Sequence, residues 1–488
     1  MNPVLPADAM TRSSPTSSSL GLPHWAAARR QALSPAPAPG PTDHASELLP
    51  WLRGRAPGAP GQPGASEPGR PRQRVAVVGG GISGLGAAWA LRHRFELTLF
   101  ETENRLGGHA HTVDWEQAGR RHGVDTGFLV FNERTYPLLQ ELFRQLAVPV
   151  AHSDMSFSVQ AQGLEWCGSE LNSVFAQRRN LLRPRFWGML TELLRFNREC
   201  TALAARGDDR ELAEPIGAFL DRRGFGEAFR ALYLLPMVAC IWSCPVQQML
   251  AFPIGTLIRF CHNHGLLQVA NRPQWFTVRG GSREYVQRIQ KALPDVRAAE
   301  PVLALRRAPE GVWLRGPSGE QRFDAVILAC HSDQALALLG EQARPAERSV
   351  LGAIRYQDNR AVLHGDAGLL PQRRRAWAAW NFESGPGERP VCLHYLINKL
   401  QPLPWAEPVV VSLNPLREPK GESREFHYAH PVFDEGAVRA QERLPELQGQ
   451  GNVWFAGAWA RYGFHEDGLW SGLQAAKALE QAMERVWS

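Results

Sequence analysis

The chain has 488 residues, a formal net charge of +6, 44% apolar and 21% charged residues. That is the composition of a folded globular protein too long for one simple core, and it implies two intertwined domains. The mild positive excess fits an anionic membrane surface or an acidic ligand, and the lack of any helix-turn-helix, zinc-finger or RNA-binding signature argues against nucleic acid.

Residues 1–73 are rich in Pro, Ala, Gly and Ser, with PAPAPGP and GAPGQPG runs. Such a stretch cannot bury enough apolar surface to offset its ordering entropy. It reads as a disordered tail, or as sequence ahead of a start codon placed too far upstream. It has no continuous apolar run of the signal-peptide kind.

From Arg74 the chain reads RVAVVGGGISGLG. Val75–Val78 form a short apolar run suited to a buried parallel strand. Gly79-x-Gly81-x-x-Gly84 follows directly, and Ala87–Leu91 reads as helix. This order is the context a dinucleotide-binding turn requires. Gly79 permits the tight turn, Gly81 lets the backbone approach a pyrophosphate, and Gly84 lets helix and strand pack closely. Ile82 and Ser83, beside these glycines, belong to the same site, where a helix N-terminus favours phosphate. A second strand, Leu97–Phe100, ends at Glu101, where an adenosine ribose needs an acceptor.

Next come ETENRLGGH (101–109) and Val124-Asp125-Thr126-Gly127. Residues 128–275 read as mostly helical. Within them, Arg185–Glu199 is amphipathic: Phe186, Met189, Leu190, Leu193 and Leu194 share a face. With Trp187 and the upstream Arg178, Arg179 and Arg183, this helix suits either a lipid interface or its own protein core. Ala231–Ile258 carries no charge, yet Pro236, Pro245 and Pro253 interrupt it, so it reads as short buried helices lining a greasy cavity rather than a membrane span. The seven cysteines are scattered and odd in number, which implies buried thiols in a reducing compartment. Neither Cys240-x-x-x-Cys244 nor Cys261-His262-Asn263-His264 has a usual zinc spacing, so no metal is expected.

Val278–Ser282 is another strand-to-helix turn. Residues 293–339 read as strands with turns at Pro309-Glu310-Gly311 and Pro317-Ser318-Gly319, then a buried strand at Ala325–Ala329. Ala361–His364, Val391–Asn398 and Val409–Leu413 have β character. At the far end, NVWFAGAWARYGFHEDGLWSGL (452–473) gives a strand running into Gly457, a variable loop, and Asp467-Gly468 opening a helix.

These motifs together resemble the flavin amine oxidase and phytoene-desaturase-like superfamily over roughly residues 74–485. The resemblance implies an α/β protein: a Rossmann-type FAD-binding domain interleaved with an α+β substrate domain of the amine oxidase fold. FAD-binding pieces fall at 74–127, 276–340 and 451–488, and substrate pieces at 128–275 and 341–450. It further implies that Arg105, Gly107, Gly108 and His109 lie along the FAD pyrophosphate and ring system. Thr126 and Gly127 pass the isoalloxazine, and the Val302 backbone touches the adenine. Gly457, Asp467, Gly468 and Leu469 form the closing motif, whose helix N-terminus faces the electron-rich flavin edge.

A closer likeness lies in GHAHTV (108–113), VDTGFLVFNERTYP (124–137), SDMSFSV (153–159), FAQRRNLLRPRFW (175–187), IWSCP (241–245), NHGLL (263–267) and WFTVRGGSREYV (275–286). These resemble bacterial FAD proteins encoded beside cyclopropane-fatty-acyl-phospholipid synthases. That likeness implies oxidation of modified acyl chains of membrane lipids, by an enzyme at the cytoplasmic side, peripheral on the membrane, with a lipid methyltransferase as partner. Amine oxidases of this fold carry a lysine against flavin N5. Here the four lysines are Lys291, Lys399, Lys420 and Lys477, of which Lys399 is the nearest candidate, and no amine cage is evident. The candidates for catalysis are His364, Tyr395, Asn398, His430, Trp459 and Tyr462, with Asn381 and His427 also expected near the cavity. The alternatives are an amine oxidase, a carotenoid- or protoporphyrinogen-type oxidase, and a non-catalytic flavoprotein that stabilises a lipid methyltransferase.

Overall fold

Five short strands lie side by side in the order Asp295–Arg297, Glu96–Phe100, Arg74–Val78, Ala325–Leu328 and Val453–Phe455, all parallel. This sheet comes from a computed structural model that describes residues 45–57, 72–206, 209–242, 249–268, 272–385 and 391–485. Its inner strands are mainly apolar, with Val75–Val78 and Ala325–Leu328 wholly so, because both faces are covered. Side chains alternate between two cores, as the two-residue period of a strand demands. Val75, Val77, Leu97, Leu99 and Ile327 pack with the helices Ile82–Leu91 and His465–Arg485. Ala76, Val78, Phe100, Val326 and Phe455 pack on the other side, against Leu305, Val312, Leu314 and Phe323. Those last four residues belong to an antiparallel meander, Ala304–Ala308, Gly311–Gly316 and Gly319–Phe323. Its two turns fall where the Pro-Glu-Gly and Pro-Ser-Gly signals place them.

The second half is built on a seven-stranded sheet. Its order is Ser423–Val432, Arg355–His364, Val410–Leu413, Cys392–Leu396, Trp380–Glu383, Phe157–Ala161 and Leu164–Cys167. Trp380–Glu383 runs parallel to Phe157–Ala161, and the other neighbours are antiparallel. The strands expected near 361, 392 and 410 are present. Residues 128–275 are less helical than expected: Val150–Ser153, Phe157–Ala161 and Leu164–Cys167 are strands. Phe157–Ala161 is held by a strand more than two hundred residues away in sequence, a pairing that local pattern does not report.

The amphipathic helix spans Pro184–Arg206. Its buried stripe is Phe186, Met189, Phe196, Cys200 and Leu203, whereas Leu194 is 57% and Trp187 46% exposed. The uncharged segment forms a π-helical turn, Arg230–Leu234, that continues as the helix Leu235–Trp242, and Ile254–Asn263 is helical again. Residues 243–248, with Pro245 and Cys244, lie outside the described residues. No helix among the described residues is long and apolar enough to cross a membrane. The six described cysteines are free thiols, and all but Cys330 are buried.

The expectation of a disordered tail over 1–73 needs correction within it. Leu48–Arg53 is helical, with Leu48 and Leu52 fully buried. Trp51 Nε1 donates to Glu480 Oε2 at 3.1 Å, and Arg55 reaches the same oxygen at 2.5 Å. The apolar ELLPWLR stretch is diluted when the whole region is judged by average composition, yet it supplies two leucines one helical turn apart to the closing helix. Residues 1–44 and 58–71 lie outside the described residues.

Candidate cofactor and substrate site

The glycine turn leaves the end of the Arg74–Val78 strand with Gly79 at φ +111°, a conformation that side chains disfavour. A Cβ on Gly84 would lie 1.9 Å from the Gly79 carbonyl oxygen, so helix and turn pack backbone to backbone. Gly81 is different: a Cβ there would meet no protein atom within 4 Å. Opposite it, a Cβ on Gly108 would come 3.2 Å from the Gly81 Cα, and Gly107 N donates to Gly80 O at 2.8 Å. Two glycine segments thus face each other at the first turn of the Ile82–Leu91 helix, with space over Gly81 that the protein does not fill. Ile82 and Ser83 are buried in that first turn. Arg105 donates to Gly108 O at 2.9 Å.

Glu101 accepts from Gly80 N at 2.7 Å and from Glu103 N at 2.9 Å. The segment that carries Val302 runs alongside, through Glu300 N to Glu101 O at 3.0 Å. This is the edge where an adenosine would sit.

The closing helix His465–Arg485 starts beside the glycine helix. A Cβ on Gly468 would be 2.8 Å from Ile82 Cγ2, one on Gly472 2.0 Å from Ser83 O, and Leu469 is fully buried. Gly457 N donates to Ser471 Oγ at 3.1 Å. Asp467 accepts from Phe464 N at 3.0 Å and faces Arg461 at 3.7 Å. Burial raises its carboxyl to about 6, against the pull of Arg461. Glu466 accepts from Leu138 N and Leu139 N at 2.8 and 2.9 Å, capping the helix Pro137–Gln145. Burial nevertheless pushes Glu466 up to about 8. His465 stacks on Phe128 at 3.7 Å, and its Nε2 meets Tyr285 Oη at 2.7 Å.

Between the two glycine-bearing ends lies a group of rings. Half-buried His109 lies among Tyr428 at 5.2 Å, His430 at 5.3 Å and His331 at 6.3 Å. Its Nε2 has no protein partner, and burial, then His430, hold its pKa well below the ordinary value. It is neutral, with one polar atom turned toward a group the protein itself does not supply. Tyr428 Oη bridges Thr126 Oγ1 at 2.7 Å and His111 Nδ1 at 2.9 Å. A Cβ on Gly127 would be 2.2 Å from His109 O. Asp125 beneath accepts from Thr112 Oγ1, Ser282 N, Ser282 Oγ and Gln401 Nε2, which ties three distant chain segments together. The open space over Gly81, the facing glycines and the orphaned His109 nitrogen fit a dinucleotide that runs from Glu101 to the ring cluster.

The polar candidates separate. His430 lies in the ring cluster, with Nδ1 3.0 Å from Asn359 Nδ2 and its pKa lowered to about 4 by burial. Tyr462 lines a pocket with Thr135, Tyr136, Phe260, His264 and Phe464. Tyr395 packs edge-on against Trp380 at 5.1 Å on the core face of the seven-stranded sheet.

The others do not reach. His364 lies on the opposite sheet face, in a buried chain that runs Glu383–His394–Ser412–His364 at 3.0, 2.7 and 2.7 Å. Asn381 is tied to Ala378 and His394 on that same face. Glu383, Cys392 and His394 bring ligand atoms within 4.8 Å of one another, but Arg417 already occupies Glu383 Oε1 at 2.8 Å and His394 occupies Oε2. Asn398 holds the loop at Trp405, Glu407 and Val409. Trp459 is core, with Nε1 donating to Cys330 O. His427 is 75% exposed. None of the four lysines is buried, and Lys399 pairs with Asp154 at 3.0 Å.

Sequence reasoning missed His264, which stacks on Phe260 at 4.0 Å, and the Phe464, Tyr136 and Arg461 that share its pocket. It also missed Tyr428, which only strand pairing brings to Thr126. The signal for Tyr428 was the two-residue alternation Phe426, Tyr428, His430 along one strand.

The flavin-containing amine oxidoreductase family model matches residues 82–479. Over 88 residues the chain is 36% identical to the FAD-dependent oxidoreductase dbaF of Emericella nidulans, a match that spans only 18% of either protein. Cyclohexylamine oxidase from Brevibacterium oxydans IH-35A has a similar structure, with a TM-score of 0.62 at 16% identity over 85% of this chain and 100% of that one. So does a CLA-producing fatty acid isomerase from P. acnes, with a TM-score of 0.58 at 15% identity over 82% and 97%. The chain is an FAD-dependent oxidoreductase and belongs to the flavin-containing amine oxidoreductase family.

Proposed function

We propose that this enzyme dehydrogenates an acyl chain of a membrane lipid, specifically a methylated or cyclopropane-bearing chain, with FAD as the hydride acceptor. Bound FAD supplies a two-electron acceptor, and the protein supplies binding, orientation and electrostatics. On this reading Gly81 and Gly108 cradle the pyrophosphate and Glu101 holds the ribose. His109, Thr126 and Tyr428 fix the ring end, and Phe426 and Tyr395 belong to the apolar wall.

The observation that carries the reading is a set of half-buried, uncharged side chains at the margin of the main core. Burial pushes the phenols of Tyr233 and Tyr395 above their ordinary range, yet both keep accessible surface. Tyr233, Met237 and Ile241 recur every four residues on one helical side, and all three pack at the margin of the main core with Trp380 and Tyr395. No charged side chain is among these five residues, which suits a hydrocarbon and gives an ammonium group nothing to pair with. The nearby carboxyls do not supply that pair either. Glu466 is committed to two backbone amides and neutral near pH 7, and Asp467 faces Arg461. The same fold serving a fatty acid isomerase is compatible with this ligand class.

The reading is tested by enlarging a side chain in this apolar margin. Ile241→Trp should lower kcat/KM for long acyl chains by about tenfold or more while flavin content is kept, since even one methylene changes discrimination by ~10-fold or more. Unchanged discrimination between long and short chains would place the substrate elsewhere.

A further inference from the structure

We propose that the segment 171–194 docks this protein on an anionic phospholipid bilayer. Seven large apolar side chains are exposed among the described residues, and five of them, Leu171, Leu181, Leu182, Trp187 and Leu194, fall in this one stretch. Leu182 is 87% exposed. Isolated exposed leucines are ordinary, but a cluster marks an interaction surface. Within the stretch, Trp187 Nε1 donates to Leu181 O at 3.0 Å, and its ring packs on Phe175 at 5.3 Å. Trp187 and Leu194 are two helical turns apart and point the same way.

Charge selects the occupant. Residues 171–191 contain Arg178, Arg179, Arg183 and Arg185 and no acid. The hydrogen bonds these arginines make go to neutral groups: Asn172 and Phe175 O, Gly163 O, Asn180, and Gln162. Elsewhere on the surface arginines pair with carboxylates, as Arg222 does with Glu214. The short helix Arg374–Ala376 lies against Leu171–Val174 and adds exposed Arg374 and Arg375 to the rim. Apolar side chains ringed by unneutralised arginine, with a tryptophan at the boundary, match the headgroup–acyl border of an anionic leaflet.

The test is flotation of the full-length holoprotein with vesicles of equimolar phosphatidylcholine and phosphatidylglycerol, against phosphatidylcholine alone. Binding should require phosphatidylglycerol and fall as salt is raised. The R178Q/R179Q/R183Q/R185Q variant should bind roughly a thousandfold more weakly, since each of the four interfacial arginines contributes on the order of 1 kcal/mol. L182S/W187S should also lose binding while flavin content and Tm stay at wild-type values. Vesicle binding is read without turnover, so its failure leaves the acyl-chain reading untouched, and the reverse holds. Equal binding of wild type and the arginine variant would overturn the proposal. So would a wild-type protein that ignores both vesicles and forms a dimer that L182S/W187S dissociates, which would make a second copy of this chain the occupant.

Discussion

Gly472 sits so close to Ser83 that a Cβ on it would lie 2.0 Å from the Ser83 carbonyl oxygen. The contact joins the closing helix to the first turn of the glycine helix, nearly four hundred residues earlier in the chain. Gly472→Ala must push the two helices apart, at a cost of about 1–3 kcal/mol. It should lower Tm and the flavin-to-protein ratio together. Gly188, where a Cβ meets nothing, is the control: Gly188→Ala should leave both unchanged or raise Tm slightly.

Gly81 makes the opposite prediction. A Cβ there has room in the protein, so Gly81→Ala should leave the unfolding free energy of the flavin-free protein within about 0.5 kcal/mol of wild type, the range of an unstrained substitution. Its flavin content should nevertheless fall. Full retention of FAD in that variant would mean the open space over Gly81 is not the phosphate cradle.

How much of this was legible in the sequence differs between the two halves. The parallel sheet and its glycine turns were readable because strand, turn and helix follow one another within thirty residues, and each glycine has a local reason. The hairpin turns at 309–311 and 317–319 were readable for the same cause. The substrate side was not, because its geometry is set by pairing across the chain. His364 and Tyr395 both sit on strands of one sheet, but register places them on opposite faces, and a single residue of register decides which. The helix at Leu48–Arg53 was hidden by the Pro- and Gly-rich sequence on either side.

Stability should fall between pH 6.5 and 8. His109, His430 and His465 have lowered pKa values, so what they contribute to folding is complete once pH exceeds 6.5. Glu466 is raised to about 8 from 4.5, so the folded state holds a proton that the unfolded chain has released, and stability is lost as pH rises toward 8. Over this window, where Glu466 is the group that changes most, the loss is ~2 kcal/mol at about 1.4 kcal/mol per pH unit. Urea unfolding at pH 6.5 and 8 measures it. Glu466→Gln should be less stable at pH 6.5, because one of two capped amides loses its acceptor, and its pH slope should be flatter. An equal slope in both proteins would assign the titration elsewhere.

Lys399 pairs with Asp154 at the surface. Lys399→Met should therefore leave flavin reduction by substrate within about twofold of wild type, since surface ion pairs contribute little. A loss of a hundredfold or more in the reductive half-reaction would give this lysine the role it has in amine oxidases.

The most direct test of the central claim is anaerobic reduction of the bound flavin, followed by loss of its oxidised absorbance. The holoenzyme is mixed with phospholipid vesicles bearing methylated or cyclopropane acyl chains, and separately with polyamines, aryl amines, polyenes and porphyrinogens. A lipid dehydrogenase is expected to give bleaching by the lipid and a new double bond in the recovered acyl chain. Bleaching by an amine, a polyene or a porphyrinogen with none by lipid would contradict it, and bleaching by none of them would favour a flavoprotein that acts by stabilising a partner.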